Sequence, residues 1–155
     1  MKKLNIVLLC PEIPQNTGNI SRTCAVTGAA LHIIKPIGFE ISDRTLKRAG
    51  LDYWDKLDVT YYENLGEFLS LHGSSPMYFF SAHAEKSYAE AEYPAGVFLV
   101  FGRESVGLPE ELVRENIDRA LRIPMIEGVR CLNLSNSVAV ATYEALRQWG
   151  FAGLT

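Results

Sequence analysis

The amino-acid sequence predicts an α/β fold, a mainly parallel sheet flanked by helices. Short apolar runs rich in Val, Ile, Leu, Phe and Tyr recur between turn residues, and such runs read as strands. Segments with helical patterning alternate with them, the order expected of parallel strands covered on both faces. A composition with 48% hydrophobic and 21% charged residues is that of an ordinary globular chain and points to neither disorder nor a membrane-spanning class.

In chain order, strands are expected at Leu4 to Cys10, Leu31 to Ile34, Val59 to Tyr62, Met77 to Ser81, Val97 to Phe101 and Ala120 to Ile123. Helices are expected at Thr17 to Thr27, Asp43 to Arg48, Leu65 to Leu71, Pro109 to Asn116 and Ser137 to Trp149. His72 to Pro76, with Gly73, Ser74 and Ser75, reads as a loop. The 155 residues suit one domain spanning 1–155, with no internal repeat and no linker.

Met1-Lys2-Lys3 runs directly into an alternating strand without a cleavage site, so a cytoplasmic location is expected. No apolar run approaches the roughly 18 residues of a membrane span. Cys10, Cys24 and Cys131 form neither a CxxC nor a Cys/His cluster, and no metal is inferred. The net charge of −3 does not advertise nucleic-acid binding, so any RNA contact must be local. Arg44, Lys47 and Arg48 form the densest basic cluster; by charge alone, an exposed helix face is the preferred reading.

The last helix carries Val138, Ala139, Val140, Ala141, Tyr143, Ala145, Leu146 and Trp149 around most of its circumference. Such a helix is covered on more than one side, by a second copy of the chain or by the rest of its own fold.

Three segments can carry chemistry. Pro14-Gln15-Asn16-Thr17-Gly18-Asn19-Ile20-Ser21-Arg22-Thr23 follows the first strand, at the edge where open α/β sheets bind ligands. Asn16 or Asn19 can cap the helix, Gly18 permits a tight backbone, and Arg22 can grip a phosphate. Capping plus a surface arginine explains this segment equally well. Phe101-Gly102-Arg103-Glu104-Ser105-Val106-Gly107-Leu108-Pro109 is a glycine-containing loop with a carboxylate beside it. It is neither a Walker A loop nor GxGxxG, and an ordinary turn remains open. Arg122-Ile123-Pro124-Met125, then Arg130-Cys131-Leu132-Asn133-Leu134-Ser135-Asn136-Ser137, bring more Asn and Ser to a helix start than a cap requires.

Together, PEIPQNTGNISRTC, FGRESVGLP and RIPMIEGVRCLNLSNSVAVATYEALRQ resemble the three motifs of the SPOUT methyltransferases. The resemblance spans nearly the whole chain. It is nearest to the small tRNA wobble-position 2′-O-methyltransferases that consist of this domain alone, to which LKRAGLDYW is also similar. It implies a C-terminal deep trefoil knot, which general topology rules disfavour. It also implies methyl transfer from S-adenosyl-L-methionine to the ribose 2′-oxygen of nucleotide 34, a cytidine or modified uridine.

By position, the resemblance implies that Ser81, Gly102, Ile123 and Cys131 hold the methyl donor through backbone groups, with Met125, Leu132 and Leu134 lining the pocket. Asn16 and Arg22 then face the ribose, Glu104 supports the second loop, Ser135 and Asn136 organise the reacting centre, and Tyr143 backs them. Arg22, Arg44, Lys47 and Arg48 are the expected RNA contacts, on the anticodon stem-loop. A homodimer through the C-terminal helix, with a site drawn from both chains, is implied as well. Two rivals stand beside this reading: a non-catalytic RNA-binding module, and a 2′-O-methyltransferase for ribosomal RNA or another tRNA position. A Rossmann methyltransferase is disfavoured, because Pro11-Glu12-Ile13-Pro14 follows the first strand where a Gly-rich loop would stand.

Overall fold

Runs of apolar residues buried on both faces make the central strands of this chain, and the helices between them supply the cover. The structure, a computed structural model, describes residues 3–40, 44 and 54–155. Its elements are β1 (Asn5–Leu9), α1 (Pro14–Thr27), β2 (Ala30–Ile34), β3 (Val59–Tyr62), α2 (Leu65–His72), β4 (Met77–Phe80), β5 (Lys86–Ser87), β6 (Phe98–Phe101), α3 (Glu110–Glu115), β7 (Ala120–Arg122) and α4 (Leu134–Gln148). Single 3-10 turns lie at Trp54–Lys56, Tyr88–Glu90 and Ile117–Arg119.

The strands form one sheet in the order β3-β2-β1-β6-β4-β7-β5, and the pairings between these strands are all parallel. Alternate side chains serve opposite faces. Ile6, Leu8, Leu31, Ile33, Leu99 and Phe101 meet Ile20 and Cys24 of α1 and Val138, Ala141 and Ala145 of α4. Val7, Leu9, Ile34, Phe79 and Val100 meet Phe68 of α2 and Leu112 and Val113 of α3. The α/β fold with a parallel sheet between helices is the one the sequence predicts.

Several boundaries move. Helix α1 starts at Pro14 rather than Thr17, with Ile13 at the cap position and no side-chain cap, so neither Asn16 nor Asn19 caps it. Gly18 lies buried inside α1, not in a tight loop. Pro109 precedes α3 instead of opening it, and α4 begins three residues early, at Leu134. The helix expected over 43–48 lies outside the described residues, apart from Arg44, which is helical and exposed.

One buried polar cluster sits between sheet and α2. The Nε2 and Nδ1 of His32 lie 3.2 Å from Asn5 Oδ1 and 2.8 Å from the Tyr62 hydroxyl, which is 3.0 Å from His72 Nε2. The Asn5 amide nitrogen donates to the Gly96 carbonyl at 3.1 Å, which leaves its oxygen to accept from His32. The chain of bonds is therefore satisfied when His32 is neutral, protonated on Nε2 and accepting at Nδ1 from Tyr62. Burial first, and His72 second, bring the His32 pKa down to about 4.

A depressed histidine pKa fixes the sign of a pH effect. Between about pH 6.5 and about 4, the unfolded chain binds a proton that the folded chain refuses, so stability decreases as the pH is lowered, by up to about 1.4 kcal/mol per unit. Above that window this group contributes no slope. Urea unfolding at pH 7 and pH 5 should show a smaller loss for His32→Gln than for the wild type; equal losses would remove His32 as a source.

Candidate active site

Parallel strands send their carboxyl ends to one edge of the sheet. The segments following β1, β6, β4 and β7, from four adjacent strands, therefore emerge side by side. Cys10, at the end of β1, has φ 52°, a left-handed conformation that is costly for a side chain with a Cβ. It turns the chain out of the sheet into residues 11–13. Burial raises the Cys10 thiol pKa, against the opposing pull of Arg103, so the thiol stays protonated near neutrality.

Glu104 joins the first two segments. Its Oε2 accepts the backbone N–H of Glu12 at 2.8 Å, and its Oε1 accepts the N–H of Ile13 at 3.0 Å and the side-chain amide of Asn16 at 3.3 Å. A carboxylate from another loop thus satisfies donors just ahead of α1, where no side chain of the helix's own does so. Negative charge there is also favoured by the helix dipole. Glu12 answers in the opposite direction: its Oε1 accepts from the hydroxyl of Ser105 at 2.6 Å and from its N–H at 3.3 Å.

The turn between these contacts closes on itself. Gly107 donates its N–H to the Arg103 carbonyl at 2.8 Å and has φ 71°. A Cβ on Gly102 would lie 2.0 Å from the carbonyl carbon of Gly107, so no other residue fits without reopening the turn. Glycine is needed here for the close approach of the loop's own backbone, whatever else the loop contacts.

The third segment arrives from the far side. Asn133 donates its amide to Asn16 Oδ1 at 3.1 Å, while its own Oδ1 accepts from Ser135 N–H and hydroxyl and from Asn136 N–H, at 2.9, 2.6 and 3.3 Å. It is both the N-cap of α4 and the link to α1. Asn16 follows β1, and β7 lies three strands away, so residues 123–133 return across the ends of β4 and β6 over about 14 Å.

One hydrogen-bonded path, Glu104–Asn16–Asn133–Ser135, hence ties the three sequence motifs together. Asn16 and Ser135 are buried on it, Asn136 meets it through its backbone, and Glu104 is half-buried. The other expected site residues stand around this path. Gly102 is buried in the second loop; Ile123 and Leu134 pack partly against the core; Met125, Cys131 and Leu132 are exposed in the third loop. Ser81 follows β4, its N–H bonded to the Leu121 carbonyl and its hydroxyl accepting from His83 N–H. Arg22 is exposed, about 9 Å along α1 from Asn16 by helical rise, and is not part of this path. Tyr143 lies two turns into α4, 47% exposed, on a stripe with Asn136, Val140 and Arg147. Lys47 and Arg48 lie outside the described residues.

Two participants escaped the choice of site residues, Glu12 and Asn133. Each precedes a helix by one or two residues, a position from which a polar side chain can cap, and that was the available signal. Among the described residues, no group of three or more His, Cys, Asp or Glu side chains could hold a metal ion, and no helix is long and apolar enough to cross a membrane.

The chain belongs to the SpoU rRNA Methylase family, whose profile matches residues 3–143. Over 155 residues it is 49% identical to a protein of Geobacillus stearothermophilus provisionally named a tRNA (cytidine(34)-2′-O)-methyltransferase, covering 98% of this chain and 99% of that one. It is similar, with a TM-score of 0.90 and 46% identity over 97% of this chain and 98% of the other, to a structure solved in work on the 2-OH methylation of C/U34 on tRNA. An AdoMet-bound rRNA methyltransferase from Sinorhizobium meliloti superposes with a TM-score of 0.83 at 25% identity, over 94% of this chain and 56% of that one.

Removing the Glu104 carboxylate leaves two backbone N–H groups and an amide without their acceptor. Glu104→Ala should cost about 2 kcal/mol of stability in urea unfolding, and Glu104→Gln, which keeps one acceptor oxygen, clearly less. An unchanged midpoint in Glu104→Ala would show that the bonds between the loops carry no net stability.

Proposed function

We propose that this protein transfers a methyl group from S-adenosyl-L-methionine to the ribose 2′-oxygen of nucleotide 34 of tRNA, a cytidine or modified uridine. The observation that carries the reading is the path from Glu104 through Asn16 to Asn133 and Ser135, which gathers three distant segments at one sheet edge. Family membership and the relatives named for this reaction support it.

The residues present fit the methyl donor. In the third loop Met125, Ile126, Val129 and Leu132 stand exposed, an apolar lining that a nucleoside and a thioether-like chain can cover. The donor supplies an electrophilic methyl group on a sulfonium. Gly102, Ile123, Cys131 and Ser81 would hold it through backbone groups, and Met125, Leu132 and Leu134 through contact.

Methylation of a hydroxyl requires alignment of the attacking oxygen and loss of its proton. Asn16 is fixed from both sides, by Glu104 and Asn133, and so is the group best placed to orient the ribose. Ser135 and Asn136 start α4 beside it. Arg22 binds a phosphate next to the target and stabilises developing negative charge on the oxygen. A guanidinium, with a pKa above about 12, does not serve as base, and water or a neighbouring group takes the proton.

The stripe Asn136, Val140, Tyr143 and Arg147 of α4 remains exposed while the opposite face of the helix is buried. We assign it to a homodimer interface, which would bring a partner's surface to the site. The return of residues 123–133 across the strand ends is the path that a trefoil knot in a single domain would use. The anticodon stem-loop is recognised as splayed single strand, with Arg44, Lys47 and Arg48 on its phosphates.

Incubating unmodified and native tRNA with labelled donor and mapping the label tests the reading: a methyl group on ribose 34 is expected, and label on a base sinks it. Arg22→Lys should lower the single-turnover rate about tenfold or more, since an ammonium lacks the bidentate fork; a retained rate removes that role. Lys47→Ala and Arg48→Ala should each flatten the dependence of log affinity on log salt by about 0.7 to 0.9. An unchanged slope takes both residues off the RNA.

A further inference from the structure

Glu12 belongs to no expected set of site residues, yet it makes the shortest bond between the first two loops. Its Oε1 receives the Ser105 hydroxyl at 2.6 Å and the Ser105 N–H at 3.3 Å, while its own N–H goes to Glu104 Oε2 at 2.8 Å. Each segment therefore offers the other a carboxylate and receives a backbone donor. The arrangement has the reciprocity of a capping box, built between residues about 90 positions apart.

The turn of residues 102–107 gives this reciprocity a purpose. Its base at Gly102 is buried, but Ser105, Val106 and Gly107 protrude, and Val106 is 71% exposed. Glu104 fastens the base of the turn to the start of α1. Only Glu12 fastens its protruding part, through Ser105, among the hydrogen bonds of the described residues that join these two loops. The Ser105 hydroxyl bond, ahead of the charge of Arg103, also holds the Glu12 carboxyl below the ordinary carboxylate range, so the acceptor is ionised near neutrality.

We propose that Glu12 is a positioning residue of the methyl-transfer site: through Ser105, its Oε1 fixes the backbone of the 102–107 turn in the shape that receives the donor. The inference rests on the function proposed above. Both Ser105 bonds converge on one oxygen, so the role needs an acceptor atom and not a net charge. An amide oxygen can replace it; a methyl group cannot.

The test compares Glu12→Ala, Glu12→Gln, Ser105→Ala and the double variant Glu12→Ala/Ser105→Ala, with donor binding by calorimetry and steady-state methylation of tRNA. In Glu12→Ala, the dissociation constant and KM for S-adenosylmethionine should rise about tenfold, while kcat at saturating donor changes far less. Glu12→Gln should restore most of the loss. Ser105→Ala should raise donor KM, and the double variant should be no worse than Glu12→Ala, because both changes break one link.

Unchanged donor binding in Glu12→Ala overturns the proposal, as does a Glu12→Gln variant as impaired as alanine, or full additivity in the double variant. If Glu12→Ala does not fold, Ser105→Ala and Glu12→Gln decide: an unaltered donor KM in Ser105→Ala overturns the proposal by itself. A wild-type protein that binds no donor would instead overturn the function proposed above.

Discussion

The arrangement of this site depends on a carboxylate that serves a helix it does not belong to. Glu104 receives the N–H groups of Glu12 and Ile13 and the amide of Asn16, and so ties the start of α1 to the loop after β6. Hydrogen bonds to an ionised acceptor are stronger than neutral ones, and these are partly shielded from water. From Asn16 the same path continues to Asn133 and the first turn of α4. Three loops that could otherwise move independently share one set of bonds.

The sheet makes this economical. Because all its strands run parallel, their carboxyl ends converge on one edge, and β6, inserted between β1 and β4, carries Glu104 to within reach of the β1 exit. The opposite half of the molecule handles polarity differently. There, Asn5, His32, Tyr62 and His72 exchange hydrogen bonds within the apolar layer under α2, and burial keeps His32 uncharged. One polar group of bonds organises loops; the other is sealed in.

Much of this was legible in the sequence. The long strands were visible because β-branched and aromatic runs are buried on both faces, and the three motifs were visible as polar, glycine-containing breaks after them. The two-residue β5 was not, since Lys86–Ser87 carries no pattern. The start of α1 was misplaced because a polar cap was sought at Asn16 or Asn19, whereas the helix opens on Pro14 without a side-chain cap and the donors ahead of it are met by Glu104, 88 residues from Asn16. Glu12 between two prolines looks like a surface charge, and Asn133 is one of several small polar residues before α4. Only the fold shows which of them reaches Asn16. The order of strands, with β6 beside β1, depends on pairings that leave no local trace.

The contact between Asn16 and Asn133 spans 117 residues of chain. A polypeptide growing from the ribosome has its first helix long before it has the asparagine that completes that helix's surroundings. The bonds of Glu104 and Ser105 to the start of α1 need only residues up to 105, whereas the path through Asn16 to α4 closes only once residue 133 has been made.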